Sequence, residues 1–126
     1  MSFSAYWLWL AFTIVATRAQ TTKVGCVGDS ITQKGDPSWP EVLSTLLGDG
    51  YDVRNFGKSG KTASFSTGDS YVSTSAYDDA LEFAADIYIA QLGTNDAKVA
   101  LWQRETYVND YSTLLSTFPS QAKIFL

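Results

Sequence analysis

The sequence predicts an α/β fold built on a parallel sheet. Short apolar runs alternate with amphipathic helical patterns in the order β-α-β-α-β-α-β, which implies crossover connections between parallel strands. One of the runs, DIYIAQL at 86–92, is apolar enough to be buried as a central strand. The chain has 126 residues and 45% hydrophobic content, which suits one domain.

The first stretch stands apart. Its apolar core runs from Tyr6 to Ala16, its only charged side chain is Arg18, and Thr17 and Ala19 offer small residues at the −3 and −1 positions of a cleavage site. Residues 1–19 therefore read as a secretory signal peptide, and 20–126 as the domain of a secreted protein. The apolar run is short for a membrane span, so no stable membrane insertion is expected.

Lys23 to Val27 is a short apolar run closed by Gly28, a buried strand. The stretch DSITQKGDP reads as a loop. Ser38-Trp39-Pro40-Glu41 is a capping box with proline in the first turn, so a helix begins there, with Val42, Leu43, Leu46 and Leu47 as its apolar face and Gly48 and Gly50 at its end. Tyr51 to Phe56 is a second strand, and Asp52 and Arg54 place it at a sheet edge. Residues 57–74 are rich in Gly, Ser and Thr without helical period, the mark of a functional connection. Ser75 with Asp78 opens a second helix with Tyr77, Ala80, Leu81 and Ala84 on one face. After the third strand, a helix over 105–118 carries Tyr107, Tyr111, Leu114, Leu115 and Phe118 at helical spacing, and Pro119 stops it. Ala122 to Leu126 reads as a fourth strand. A parallel strand buried on both faces needs a following element to cover it, so a domain incomplete at its C-terminus is expected.

Several classes are excluded. A net charge of −4 gives no electrostatic footprint for nucleic acid. With one cysteine and no histidine, no internal disulfide and no ordinary metal site is expected. Cys26, inside KVGCV, reads as a small buried hydrophobe. The stretch NFGKSGKTA ends like a phosphate-binding loop, but Asn55 stands where the first glycine is needed, and no helix follows Lys61-Thr62 to present amides to phosphate.

In a parallel sheet the loops that follow the strands emerge at one edge, where ligands bind. Here those loops are Gly28-Asp29-Ser30-Ile31-Thr32, Asn55-Phe56-Gly57-Lys58-Ser59-Gly60 and Gly93-Thr94-Asn95-Asp96. A serine at the mouth of a strand can present its hydroxyl as a nucleophile. Glycine frees a backbone N–H, and asparagine adds a side-chain donor. The N–H groups of Ser30 and Gly60 and the Asn95 amide could surround a developing oxyanion, where losing one donor costs roughly 10²–10³ in turnover. Taken alone, Ser30 reads as a helix cap, and Gly60, Asn95, Asp29 and Asp96 as turn residues. Together the set suits acyl transfer. Trp39, Trp102, Tyr71 and Tyr77 are candidates for packing or for stacking on a sugar.

GDSIT, NFGKSGKT and GTND, in this order and each after a strand, resemble the first three sequence blocks of the SGNH hydrolases, the GDSL esterase/lipase family. The resemblance covers about residues 23–97. It implies a flavodoxin-like, three-layer α/β/α fold, with Ser30 as nucleophile and Gly60 and Asn95 as oxyanion donors. It also implies hydrolysis of a small-molecule or glycan ester without metal or cofactor. A small secreted member resembles carbohydrate O-acetyl esterases and simple acyl-ester or lysophospholipid hydrolases. The family's fourth element, a histidine in a late Asp-x-x-His motif, has no counterpart in these 126 residues. Two readings follow. The base is supplied by chain downstream of Leu126, and the residues as given are nearly inactive alone. Alternatively, the domain is a non-catalytic module that binds acylated glycans.

Overall fold

The computed structural model describes residues 19–98, 100 and 102–126; the expected leader falls outside the described residues except for its last position. Four parallel strands form one sheet in the order β2-β1-β3-β4, with β1 at Thr22–Gly28, β2 at Tyr51–Gly57, β3 at Ile87–Gln91 and β4 at Lys123–Phe125. This is an α/β fold, and the order is that of a flavodoxin-like sheet, whose topological switch point lies between β1 and β3. β1 and β3 are the inner strands. β2 is an edge, in keeping with its charged residues, and Arg54 pairs with Asp52 along it at 2.9 Å.

The helices are α1 (Ser30–Gln33), α2 (Trp39–Leu47), α3 (Ser75–Phe83) and α4 (Arg104–Ser116). Pleating sends alternate strand residues to opposite faces. On one face Val27, Phe56, Tyr88 and Ala90 pack with Ala80 and Phe83 of α3 and Leu114 and Phe118 around the end of α4. Tyr88 stacks on Phe118 with ring centroids 4.0 Å apart. Its hydroxyl donates to the Ala80 carbonyl at 2.8 Å, so the polar tip of a fully buried ring is satisfied. On the other face the Asn55 side chain reaches α1 and the start of α2 through the Thr32 carbonyl and the Ser38 hydroxyl.

The structure departs from the sequence reading in five places. The stretch after β1 contains a helical turn, α1, capped by Asp29. The Glu41 carboxylate does accept from the Ser38 N–H at 2.6 Å, but the apolar face assigned to α2 is largely exposed, with Leu46 at 78%. This helix runs along the edge strand, and the described residues place nothing over its outer turn. Helix α3 is capped by Thr74, whose hydroxyl accepts from the Tyr77 N–H, and not by Ser75. Ala84 is exposed in the left-handed region at φ 48°, and Phe83 takes its expected place in the core. Residues 57–74 are irregular but include two short 3₁₀ turns, Phe65–Thr67 and Tyr71–Ser73.

Candidate active site

The carboxyl ends of the three leading strands stand in register. Gly28 of β1 lies opposite both Gly57 of β2 and Gln91 of β3. Neighbouring strands are about 4.8 Å apart. Ser30, Gly60 and Asn95 follow these matched ends by two, three and four residues, so all three emerge at one edge of the sheet.

Hydrogen bonds tie the loops together. The Lys58 N–H donates to the Gly28 carbonyl at 2.8 Å, and the Ser59 N–H to Gln33 Oε1 at 2.7 Å, joining the second loop to the first. Asn95 Nδ2 donates to the Lys61 carbonyl at 3.0 Å, joining the third loop to the second. Asp96 completes the join: its carboxylate accepts from the Ala63 N–H at 3.0 Å and the Ser64 N–H at 2.9 Å. Gly60 therefore sits between a residue fastened to α1 and a residue fastened to Asn95.

Ser30 is the first residue of α1, half-buried, and its hydroxyl makes no hydrogen bond to a described residue. Asp29 beside it is 1% exposed, and its Oδ1 accepts from the Ile31 N–H at 2.9 Å. This cap uses one orphan amide of the helical turn and leaves the Ser30 N–H without an acceptor among the described residues. The Gly60 N–H is likewise free. Gly60 adopts φ +77° with nothing within 4 Å of where a Cβ would stand, so backbone conformation, not space, requires glycine there. Asn95 commits one amide hydrogen to Lys61 and retains a second. Ser30, Gly60 and Asn95 thus bring to the edge one hydroxyl and three N–H donors that no described residue occupies.

A second set of residues supports these loops, and its role is not visible in the motifs. Asn55 Oδ1 accepts from the Gly57 N–H at 2.9 Å, turning the chain out of β2. The Tyr107 hydroxyl donates to the Leu92 carbonyl at 3.0 Å, and Tyr111 Oη accepts from the Leu92 N–H at 3.3 Å, so α4 props the end of β3. Burial pushes the Tyr111 phenol up to about 12 and also raises Tyr107. The helical spacing of these tyrosines marked them only as packing residues.

The remaining candidates divide clearly. Lys61 is held by Asp69 at 3.2 Å. Cys26 is fully buried, and desolvation pushes its thiol up to about 12, as befits a packing residue. Tyr71 is also fully buried, its hydroxyl donating to the Phe56 carbonyl at 2.6 Å, so it is not available to stack on a sugar. Tyr77 is half-buried and bonded to Thr117. Trp102 is exposed, packed against Tyr107, and stands at a cavity that Asp96 also lines. Among the described residues no group of three or more His, Cys, Asp or Glu is arranged to hold a metal ion, and no helix is long and apolar enough to cross a membrane.

Comparison with known proteins places these loops in context. The model of the GDSL-like Lipase/Acylhydrolase family matches residues 26–125, which include all three. An acetylxylan esterase of Xylanibacter ruminicola is 39% identical over 102 residues, covering 75% of this chain and 21% of that protein. The chain thus spans about a fifth of the length of the curated relative it matches. A solved crystal structure is similar with a TM-score of 0.62 at 23% identity, covering 82% of this chain and 61% of that one, a likeness of fold.

Proposed function

This chain belongs to the GDSL-like lipase/acylhydrolase family, and on that premise we propose that it carries the nucleophile and oxyanion donors of a secreted serine ester hydrolase. Ser30 Oγ attacks the ester carbonyl, the alcohol leaves, and an acyl-enzyme forms on Ser30. The N–H groups of Ser30 and Gly60 and the free amide hydrogen of Asn95 hold the negative oxygen of each tetrahedral intermediate. A histidine oriented by an aspartate takes the serine proton, returns it to the leaving alcohol, and then activates water to release the acid. The 126 residues contain no histidine, and we place that base in chain beyond Leu126. No cofactor enters these steps.

One observation carries the reading: Gly60 is flanked by Ser59, bonded to α1 behind Ser30, and Lys61, bonded to Asn95, which brings the three groups to one register-matched edge. The name of the acetylxylan esterase relative supports an O-acetyl group on a glycan as the ester; a lysophospholipid or other small acyl ester is the rival substrate.

The test is release of p-nitrophenol from p-nitrophenyl acetate by the whole protein against its Ser30→Ala variant. A drop of about 10⁴ or more in kcat is expected; equal rates overturn the nucleophile assignment. The lack of histidine favours one second reading, a non-catalytic module that binds acylated glycans. Retained glycan binding by a whole protein without turnover would select it.

A further inference from the structure

A cavity of about 240 Å³ adjoins the third loop and has no part in the steps above. It is lined by Ser64, Thr67, Asp96, Trp102, Gln103 and Thr106, among others. We propose that this cavity is a subsite for one neutral sugar ring on the alcohol side of the ester, with Trp102 as its stacking face. The proposal rests on the hydrolase reading and names the substrate class of that site.

The lining chooses the ligand. Trp102 is 48% exposed, and its indole is braced by Tyr107 with ring centroids 4.9 Å apart. An exposed, braced aromatic face suits the C–H face of a sugar ring. Around it stand hydroxyls and a carboxamide, which both donate and accept, as sugar hydroxyls require. Among the described residues no lysine or arginine lines the cavity, which disfavours a phosphate headgroup. The one carboxylate among the described lining residues, on Asp96, is already occupied by the Ala63 and Ser64 amides. The volume falls below the roughly 300–1,000 Å³ of pockets for drug-sized ligands, which matches one ring and not an oligomer. Asp96 directly follows Asn95, and the Ser64 amide that Asp96 holds lies three residues from Lys61, which Asn95 holds, so the cavity is built on the same two loops as the Gly60 and Asn95 donors.

The test compares kcat/KM of the whole protein on acetylated xylo-oligosaccharide, p-nitrophenyl acetate and lysophosphatidylcholine. Trp102→Ala is expected to reduce the sugar ester at least tenfold more than p-nitrophenyl acetate, mainly through KM, and Gln103→Ala several-fold more. An equal loss on both, or a larger loss on lysophosphatidylcholine, overturns the subsite. Binding of deacetylated xylo-oligosaccharide to Ser30→Ala protein, read as a tryptophan fluorescence change that Trp102→Ala removes, tests it without turnover. No such change overturns the subsite even where hydrolysis depends on Ser30. Hydrolysis that survives Ser30→Ala overturns the hydrolase reading instead. If Trp102→Ala does not fold, the surface variant Gln103→Ala carries the same comparison.

Discussion

Asn95 and Lys61, 34 residues apart in sequence, are joined by a 3.0 Å hydrogen bond from the carboxamide to the backbone carbonyl next to Gly60. The bond fixes the orientation of the Asn95 amide and leaves its second hydrogen uncommitted. One side chain thereby positions the glycine loop and offers a donor to the same site.

Replacing Asn95 separates those two roles. Asn95→Ala removes the donor and the tether, and a loss of about 10²–10³ in kcat with little change in KM is expected on p-nitrophenyl acetate. A thermal midpoint lowered by only a few degrees would accompany it, because a single part-buried hydrogen bond contributes about 1 kcal/mol. A KM effect without a kcat effect would show that Asn95 binds substrate without stabilising the transition state.

Asp96 holds the second loop more firmly. It is 1% exposed and accepts from two backbone amides. In Asp96→Asn one oxygen becomes an NH₂ group facing one of those N–H donors, leaving a buried amide unpaired at about 1–3 kcal/mol. A fall in urea midpoint, with activity lost in parallel, is the expected outcome. Unchanged stability would mean that the amides find other acceptors.

The glycines of the second and third loops are required for different reasons, and substitution distinguishes them. Gly60 at φ +77° has open space for a Cβ, so Gly60→Ala costs only the left-handed backbone, about 1–2 kcal/mol, and Gly60→Asn less, since asparagine tolerates that region. Gly93 lies at φ +132°, and a Cβ there would stand 2.7 Å from the Tyr107 hydroxyl that holds Leu92. Gly93→Ala and Gly93→Asn are both expected to unfold well below Gly60→Asn in a thermal melt. Recovery of Gly93→Asn to the level of Gly60→Asn would contradict the steric account.

Much of this arrangement was legible because it is local. The Ser38–Glu41 pairing, the charged β2 edge and the apolar β3 follow from short-range chemistry, and three glycine-bearing turns after strands mark a shared sheet edge. Helix α1 was not legible: four residues are too few for a periodic pattern, and Asp29 reads equally well as a turn residue. Val42 and Leu46 have the spacing of a buried face, but spacing does not say whether anything covers it. The supports from Gln33, Asn55 and Tyr107 were hidden for another reason. Each acts on a backbone group brought close only by strand register, and the motifs carry no record of that register.

Alkaline pH tests how completely the core excludes water. In the unfolded chain the Cys26 thiol ionises near 9.0 and the phenols near 10.0, whereas in the fold burial pushes Cys26 and Tyr111 up to about 12 and raises Tyr71 further. Above pH 9 the folded chain therefore binds more protons than the unfolded one, so stability must fall as pH rises. The contribution is complete below about pH 9 and is lost progressively toward pH 12. Urea midpoints measured from pH 7 to 11 are expected to be level at first and then to decline. Cys26→Ala removes the group that ionises first, so the decline in that variant should begin about one pH unit higher, where the phenols take over. An unchanged onset would mean that water reaches the thiol, and with it the inner strand from which Ser30 is projected.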